Sequence, residues 1–126
     1  MTCKETGMNR YLTVNRLEFL VTYLCSGSCR NCYATKYEER QLKHVDECLA
    51  VNIVQQVGET YHPQSIMTFG GEPLLFPDVT CSIHKAAADL GVPSRQLITN
   101  GFWSDSLDPR EIAAKLAESG VNNISF

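Results

Sequence analysis

The segment LEFLVTYLCSGSCRNCY, residues 17–33, says most about the fold and contains the most informative motif of the chain. Its first part, residues 17–25, is a nearly continuous run of apolar, β-branched and aromatic side chains, which predicts a strand covered on both faces. Its second part has cysteines at positions 25, 29 and 32. The segment therefore predicts a buried strand that leads directly into a loop with three thiols.

Shorter strands of the same kind are predicted downstream, at residues 65–69, 96–99 and 123–126. A first amphipathic helix is predicted between the first two strands, with Gly58 at its C-terminus. Its apolar stripe repeats every four residues, with Ala50 and Val54 beside it, and consists of Val45, Leu49, Ile53 and Val57.

Two further helices are predicted between the later strands. The second has apolar residues at helical spacing before Gly91, namely Val79, Ile83, Ala86, Ala87 and Leu90. The third begins with Asp108 as N-cap and Pro109 at the first helical position, and ends at Gly120. Strands that alternate with helices indicate a parallel sheet, and the later strand ends recur about every 30 residues, as in a (β/α) barrel. The sequence thus predicts an α/β fold, a partial (β/α) barrel truncated after about four strands.

Composition and charge exclude several classes of function. A chain of 126 residues is long enough for one domain with a hydrophobic core. The formal net charge of -3 provides no basic surface, so we expect no nucleic-acid partner. The first 16 residues contain no apolar segment of signal-peptide or membrane-spanning length, so we expect no membrane association and a cytoplasmic location. In that compartment, clustered cysteines favour metal binding over disulfides.

Three thiolates on one loop are suited to a [4Fe-4S] cluster with one open iron, because a cluster held by protein alone needs four thiolates. A zinc ion could use the same thiolates with a fourth ligand such as His44, Cys48 or His84, although structural zinc motifs usually have paired short spacings. Buried cysteines without a metal are a third interpretation. Cys3 and Cys81, like Cys48, are expected to be inert or buried thiols.

The spacing C-x3-C-x2-C of Cys25, Cys29 and Cys32 after a first strand resembles the signature of the radical S-adenosylmethionine (SAM) superfamily. The segment after the second strand resembles the GGEP motif of that family and consists of Gly70, Gly71, Glu72 and Pro73. The resemblance implies a barrel of the radical SAM type, with a [4Fe-4S] cluster whose open iron chelates SAM. It also implies reductive cleavage of SAM to methionine and a 5'-deoxyadenosyl radical, which abstracts a substrate hydrogen.

The resemblance assigns further residues to SAM and names no catalytic side chain. In the family, the backbone and the acid of the GGEP motif receive the amino group of SAM, which implies this role for Glu72. Asn100, in a Thr-Asn-Gly element, is expected to line the same mouth, and Ser125 to lie near the ribose. Asn31 is expected at the adenine, although the family usually has an aromatic residue there. Each short motif also occurs as an ordinary turn or surface position.

The resemblance covers nearly the whole chain. We therefore expect an N-terminal extension at residues 1–16 and a radical SAM core domain at residues 17–126, incomplete at its C-terminus because the chain stops inside an apolar run. The expected partners are an unidentified substrate, whether peptide, protein or small molecule such as a cofactor precursor, and an electron donor such as flavodoxin or ferredoxin. The alternative is an iron-sulfur electron-transfer or zinc-binding module without SAM chemistry.

Overall fold

The computed structural model of the chain describes residues 12–24, 44–101 and 108–126. Within these ranges, four strands and three α-helices alternate, with one short 3-10 turn. In chain order they are β1 (Arg16–Thr22), α1 (Glu47–Tyr61), β2 (Ser65–Gly70), the 3-10 turn (Pro73–Leu75), α2 (Pro77–Asp89), β3 (Ser94–Ile98), α3 (Pro109–Ser119) and β4 (Asn123–Ser125). No helix in the described ranges is long and apolar enough to span a membrane.

The strands form one sheet in the order β1-β2-β3-β4, and every neighbouring pair is parallel. The sheet is open, as expected for part of a (β/α) barrel, so the predicted α/β fold is confirmed. Because all four strands run the same way, their carboxyl ends lie along one edge. Strand β1 begins at Arg16, but residues 1–11 lie outside the described ranges, and the division at residue 16 stays a prediction.

The core lies between the sheet and the helices. Alternate residues of β1 and β2, including Phe19, Val21 and Ile66, pack in one cluster with residues of α1 and α2. A second cluster joins Leu97 of β3 to Ile112 and other residues of α3 and the 3-10 turn. Complete burial of one such side chain contributes about 1.5 to 3 kcal/mol. These clusters therefore hold the helices on one face of the sheet and leave its carboxyl edge available for loops.

Helix α1 packs through only part of the predicted apolar surface. Leu49 is 55% exposed and Ile53 is 38% exposed, whereas the buried residues of this helix are Ala50, Val54 and Gly58. These small side chains, spaced four residues apart, let the helix axis approach the sheet and α2 closely. The prediction was therefore wrong for Leu49 and Ile53 and right for Ala50 and Val54, because close packing selected the smaller residues over the larger apolar ones.

The predicted end of α1 at Gly58 was also wrong. The helix continues to Tyr61, and His62 adopts the left-handed conformation, with a φ of 49°, that terminates it. Gly58 serves packing instead, since a Cβ atom there would lie 2.5 Å from Cδ1 of Leu90. Glycine at this position therefore reflects contact with α2 and not helix termination.

The boundaries predicted for the other two helices are confirmed. Gly91 follows α2 with a φ of 76°. Asp108 caps α3 by accepting a hydrogen bond from the amide of Arg110 at 2.9 Å, and Gly120 ends this helix with a φ of 87°. Their buried faces include Ile83 of α2, as predicted, and Ile112 of α3. Capping residues and glycines in left-handed geometry are local signals, which explains why the sequence predicts them well.

His84 is a completely buried histidine on the side of α2 that faces the sheet. Its Nε2 is hydrogen-bonded to the hydroxyl of Thr68 on β2 at 2.8 Å, while Nδ1 has no partner among the described residues. Burial, and secondarily the positive charge of Arg95, lowers the pKa of His84 from 6.5 to about 4. The ring is therefore neutral in the folded protein at pH values where it is partly protonated in the unfolded chain.

This difference predicts a loss of stability in mild acid. Below the unfolded pKa of 6.5 the unfolded chain binds a proton that the folded His84 does not take up until the pH nears 4. The free energy of unfolding should fall by about 3 kcal/mol across this window because of His84 alone. Denaturant unfolding at several pH values measures it. His84→Gln should flatten the slope and the exposed-site control His62→Asn should not; equal slopes for wild type and His84→Gln would contradict the prediction.

Candidate functional site

The ends of β1, β2 and β3 meet at the carboxyl edge of the sheet. Backbone hydrogen bonds join the first two: the amide of Gly71 donates to the carbonyl oxygen of Thr22 at 2.7 Å, and the amide of Glu72 donates to that of Leu24 at 2.8 Å. In parallel α/β proteins, functional sites collect at this edge. The GGEP-like segment is therefore attached to the exit of β1.

Two glycines make this close approach of backbones feasible. A Cβ atom on Gly70 would overlap the carbonyl oxygen of Thr22, and one on Gly71 would overlap that of Leu24. Gly70 also has a φ of 141°, a conformation that side-chain-bearing residues rarely adopt. The expectation that these glycines admit a ligand stays a prediction; in the described structure they admit the neighbouring strand end.

The cysteine segment begins at this contact. Leu24 immediately precedes Cys25, so the anchored end of β1 leads directly into the motif beside Gly71 and Glu72. Cys25, Cys29, Cys32 and Asn31 themselves lie outside the described residues, and their assignments stay predictions. The structure shows that the residue before the cysteine motif, Leu24, lies next to the GGEP-like segment, for which the resemblance implies a role in binding SAM.

The carboxylate of Glu72 has no solvent-exposed surface and is held by three donors. Oε1 accepts the hydroxyl of Thr99 at 2.6 Å and the amide of Leu74 at 3.0 Å, and Oε2 accepts the amide of Asn100 at 2.7 Å. A buried carboxylate requires partners of this kind, because desolvation without them is costly. Glu72 thereby joins the loop after β2 to the loop after β3.

Thr99 contacts the site, although the sequence pattern gave a role only to Asn100 of the Thr-Asn-Gly element. It is 4% exposed, its hydroxyl donates to Glu72 and accepts from the amide of Gly101 at 3.2 Å, and its own amide donates to the carbonyl oxygen of Ser125 at 3.0 Å. Gly101 has a φ of 77°, which agrees with a tight turn after β3. The Thr-Asn-Gly element carried the signal, but only the fold shows that threonine contacts the acid of the other motif.

Ser125 belongs to a polar row across the strands. Its hydroxyl oxygen accepts from Nε2 of Gln96 at 2.9 Å, and Oε1 of Gln96 accepts from the guanidinium of Arg16 at 3.1 Å. Arg16 also pairs with Glu18 at 3.0 Å. The assignment of Ser125 to the ribose of SAM stays a prediction.

The described residues would meet the implied cofactors at the loops around Leu24 and Glu72. They do not contain a ready-made set of metal ligands. Residues 12–24, 44–101 and 108–126 contain no group of three or more His, Cys, Asp or Glu side chains that could hold a metal ion. Of the fourth zinc ligands considered, His84 is completely buried against Thr68, and Cys48 lies on α1, lining an outer groove with Cys81 of α2. Both cysteines are free thiols, and burial raises the pKa of Cys81.

Substitution of Gly71 tests the close contact. Gly71→Ala should destabilise the fold by about 3 kcal/mol, since the obstacle is backbone and not a mobile side chain. The matched control is Gly91→Ala, where the added Cβ meets nothing within 4 Å and only the left-handed conformation costs about 1 kcal/mol. Denaturant midpoints measure both. Equal midpoints for the two variants would show that the strand ends can separate freely.

Similarity to characterised families agrees with this geometry. The chain is 27% identical over 113 residues to a probable GTP 3',8-cyclase of Sulfurisphaera tokodaii, covering 90% of this chain and 34% of that protein. It is 34% identical over 94 residues to Methanocaldococcus jannaschii MJ1632, named as a glycyl-radical enzyme activating enzyme, covering 74% of this chain and 35% of that protein. A probable GTP 3',8-cyclase of Methanocaldococcus jannaschii is 25% identical over 112 residues.

The chain thus spans about a third of the length of these relatives, with 34% and 35% of the first two covered. The family model of the radical SAM superfamily matches residues 19–126, from the first core residues of β1 through the last residue of the sequence. This range contains the three cysteines, the GGEP-like segment and the loop after β3. On that match, the chain belongs to the radical SAM superfamily.

Proposed function

We propose that this chain carries the part of a radical SAM enzyme that binds a [4Fe-4S] cluster and SAM. The observation that supports this most strongly is the convergence at one sheet edge. The exit of β1, which leads into Cys25, is hydrogen-bonded to the segment around Glu72, and Glu72 is bonded to Thr99 and Asn100. Leu24, which precedes the cysteine motif, and two segments that resemble family motifs are thus joined by hydrogen bonds at one edge of the sheet.

In this proposal, Cys25, Cys29 and Cys32 hold the cluster, and the segment Gly70 to Pro73 lies at the amino group of SAM. Asn31, Asn100 and Ser125 complete the contacts to the adenosine part. When bound together, the cluster and SAM supply a 5'-deoxyadenosyl radical for hydrogen abstraction. The residues of the chain bind and orient these groups, and none is assigned to proton transfer.

The substrate is proposed only by class. The names of the relatives refer to GTP in one case and to activation of a glycyl-radical enzyme in the other, so similarity supports both a small molecule and a protein. We propose one of these classes, a peptide included, together with an electron donor such as flavodoxin or ferredoxin. A cytoplasmic location is proposed because cluster thiolates require a reducing compartment.

Single Cys→Ala variants test the cluster ligands. Iron and acid-labile sulfide should fall to background when any motif cysteine is replaced, because a cluster with two protein thiolates is poorly held. The measurement is iron and sulfide content after anaerobic reconstitution. Cys48→Ala and Cys81→Ala are the matched controls, as both thiols lie on helices α1 and α2. Wild-type iron content in Cys29→Ala would refute the assignment.

Spectroscopy of the reconstituted wild type separates the alternatives. Addition of SAM should change the spectrum of the reduced cluster, because the proposed site has an open iron. Zinc in place of iron would favour the zinc-binding module, and an iron-sulfur spectrum that is insensitive to SAM would favour plain electron transfer. Formation of 5'-deoxyadenosine with a strong reductant, in the protein expressed in its natural reading frame, would support the full proposal.

A further inference from the structure

We infer that the carboxylate of Glu72 is a positioning group, which supports SAM binding by fixing the loop after β3 against the loop after β2, without itself bonding the ammonium of SAM. The inference rests on the proposed function for its SAM component. Its structural component, a hydrogen-bonded clamp between two loops, stands on the contacts alone.

The carboxylate of Glu72 already accepts hydrogen bonds from three protein donors. An ionised carboxylate offers roughly four acceptor positions, and three are filled by Thr99, Leu74 and Asn100 at 2.6 to 3.0 Å. The side chain has no exposed surface. A direct bond to the ammonium would require a ligand group to enter this packed region at one remaining position. The geometry is that of a group already satisfied by the protein.

Glu72 joins groups that are far apart in the sequence. Its carboxylate contacts Thr99 and Asn100, which are 27 and 28 residues away. Its own amide is bonded to Leu24, at the exit of β1. One residue therefore connects the ends of three strands. Loss of the carboxylate should release the β3 loop specifically.

The three groups that donate to Glu72 differ in whether a substitution can remove them. Two of the three are backbone amides, which only a proline substitution would remove, but the third is the hydroxyl of Thr99. Thr99→Val deletes this donor, together with the acceptor of the Gly101 amide, while keeping the shape of the side chain and the charge of Glu72. The variant therefore weakens the clamp and leaves the carboxylate with an additional free acceptor. A clamp and a direct ion pair predict opposite consequences for SAM binding.

The test uses the protein expressed in its natural reading frame and reconstituted with its cluster. SAM affinity is measured by equilibrium binding for Glu72→Gln, Thr99→Val and the double variant, with iron content as an internal check. A clamp predicts about a tenfold weaker affinity in each single variant, little further loss in the double variant, and unchanged iron. Thr99→Ser, which retains the hydroxyl, should restore wild-type affinity. Thr68→Val is the matched control, a buried threonine of β2 bonded to His84.

A second readout does not depend on SAM. Amide hydrogen exchange at Asn100, at Leu74 or at both should accelerate in Glu72→Gln, since the single carbonyl oxygen of glutamine can accept from at most two of the three donors, and should remain at the wild-type rate in Thr68→Val. Unchanged exchange would overturn the clamp. Wild-type SAM affinity in Thr99→Val together with weak binding in Glu72→Gln would overturn the inference in favour of a direct ion pair. No SAM binding by the reconstituted wild type would instead refute the proposed function, while the exchange result still decides the clamp.

Discussion

The backbone of Gly71 lies against the backbone of Leu24, and the arrangement of the candidate site depends on this contact. The contact is possible only without a side chain at position 71. It is reinforced by hydrogen bonds from the amides of Gly71 and Glu72 to the end of β1. As a result, two segments separated by more than forty positions start from one point of the sheet edge. Any ligand held between them would contact loops whose origins are already fixed.

Buried polar groups extend this constraint across the sheet. Glu72 has donors on both carboxylate oxygens, and Thr99 uses its hydroxyl as donor and acceptor. His84, behind β2, has a partner for only one ring nitrogen among the described residues. A satisfied buried carboxylate stiffens its surroundings, whereas a half-satisfied ring remains costly. The buried carboxylate at the carboxyl edge therefore has donors on both oxygens, whereas the ring behind β2 has one unsatisfied nitrogen.

Features that depend on neighbouring residues in the sequence were predicted better than features that depend on contacts between distant segments. The presence of four strands, the cap of α3 at Asp108 and the glycine after it are local features, and each was predicted correctly, although β1 ends at Thr22 and not at residue 25. The buried face of α1 was predicted only in part: Ala50 and Val54 are buried as expected, but Leu49 and Ile53, which look like core residues in isolation, are exposed. Which side of an amphipathic helix is buried depends on the surface that receives it. Here that surface favours the smaller side chains.

The sequence by itself determined the alternation of strands and helices, the class of fold and the family, because hydrophobic periodicity, caps and motif spacing are written in adjacent residues. Only the tertiary structure decided that Gly71 serves the approach of β1 and that Glu72 is bonded to Thr99. These contacts join residues on different strands, and their partners are selected by strand order and register. The physical reason is that parallel pairing brings the strand ends together at one edge, and no single segment contains that information.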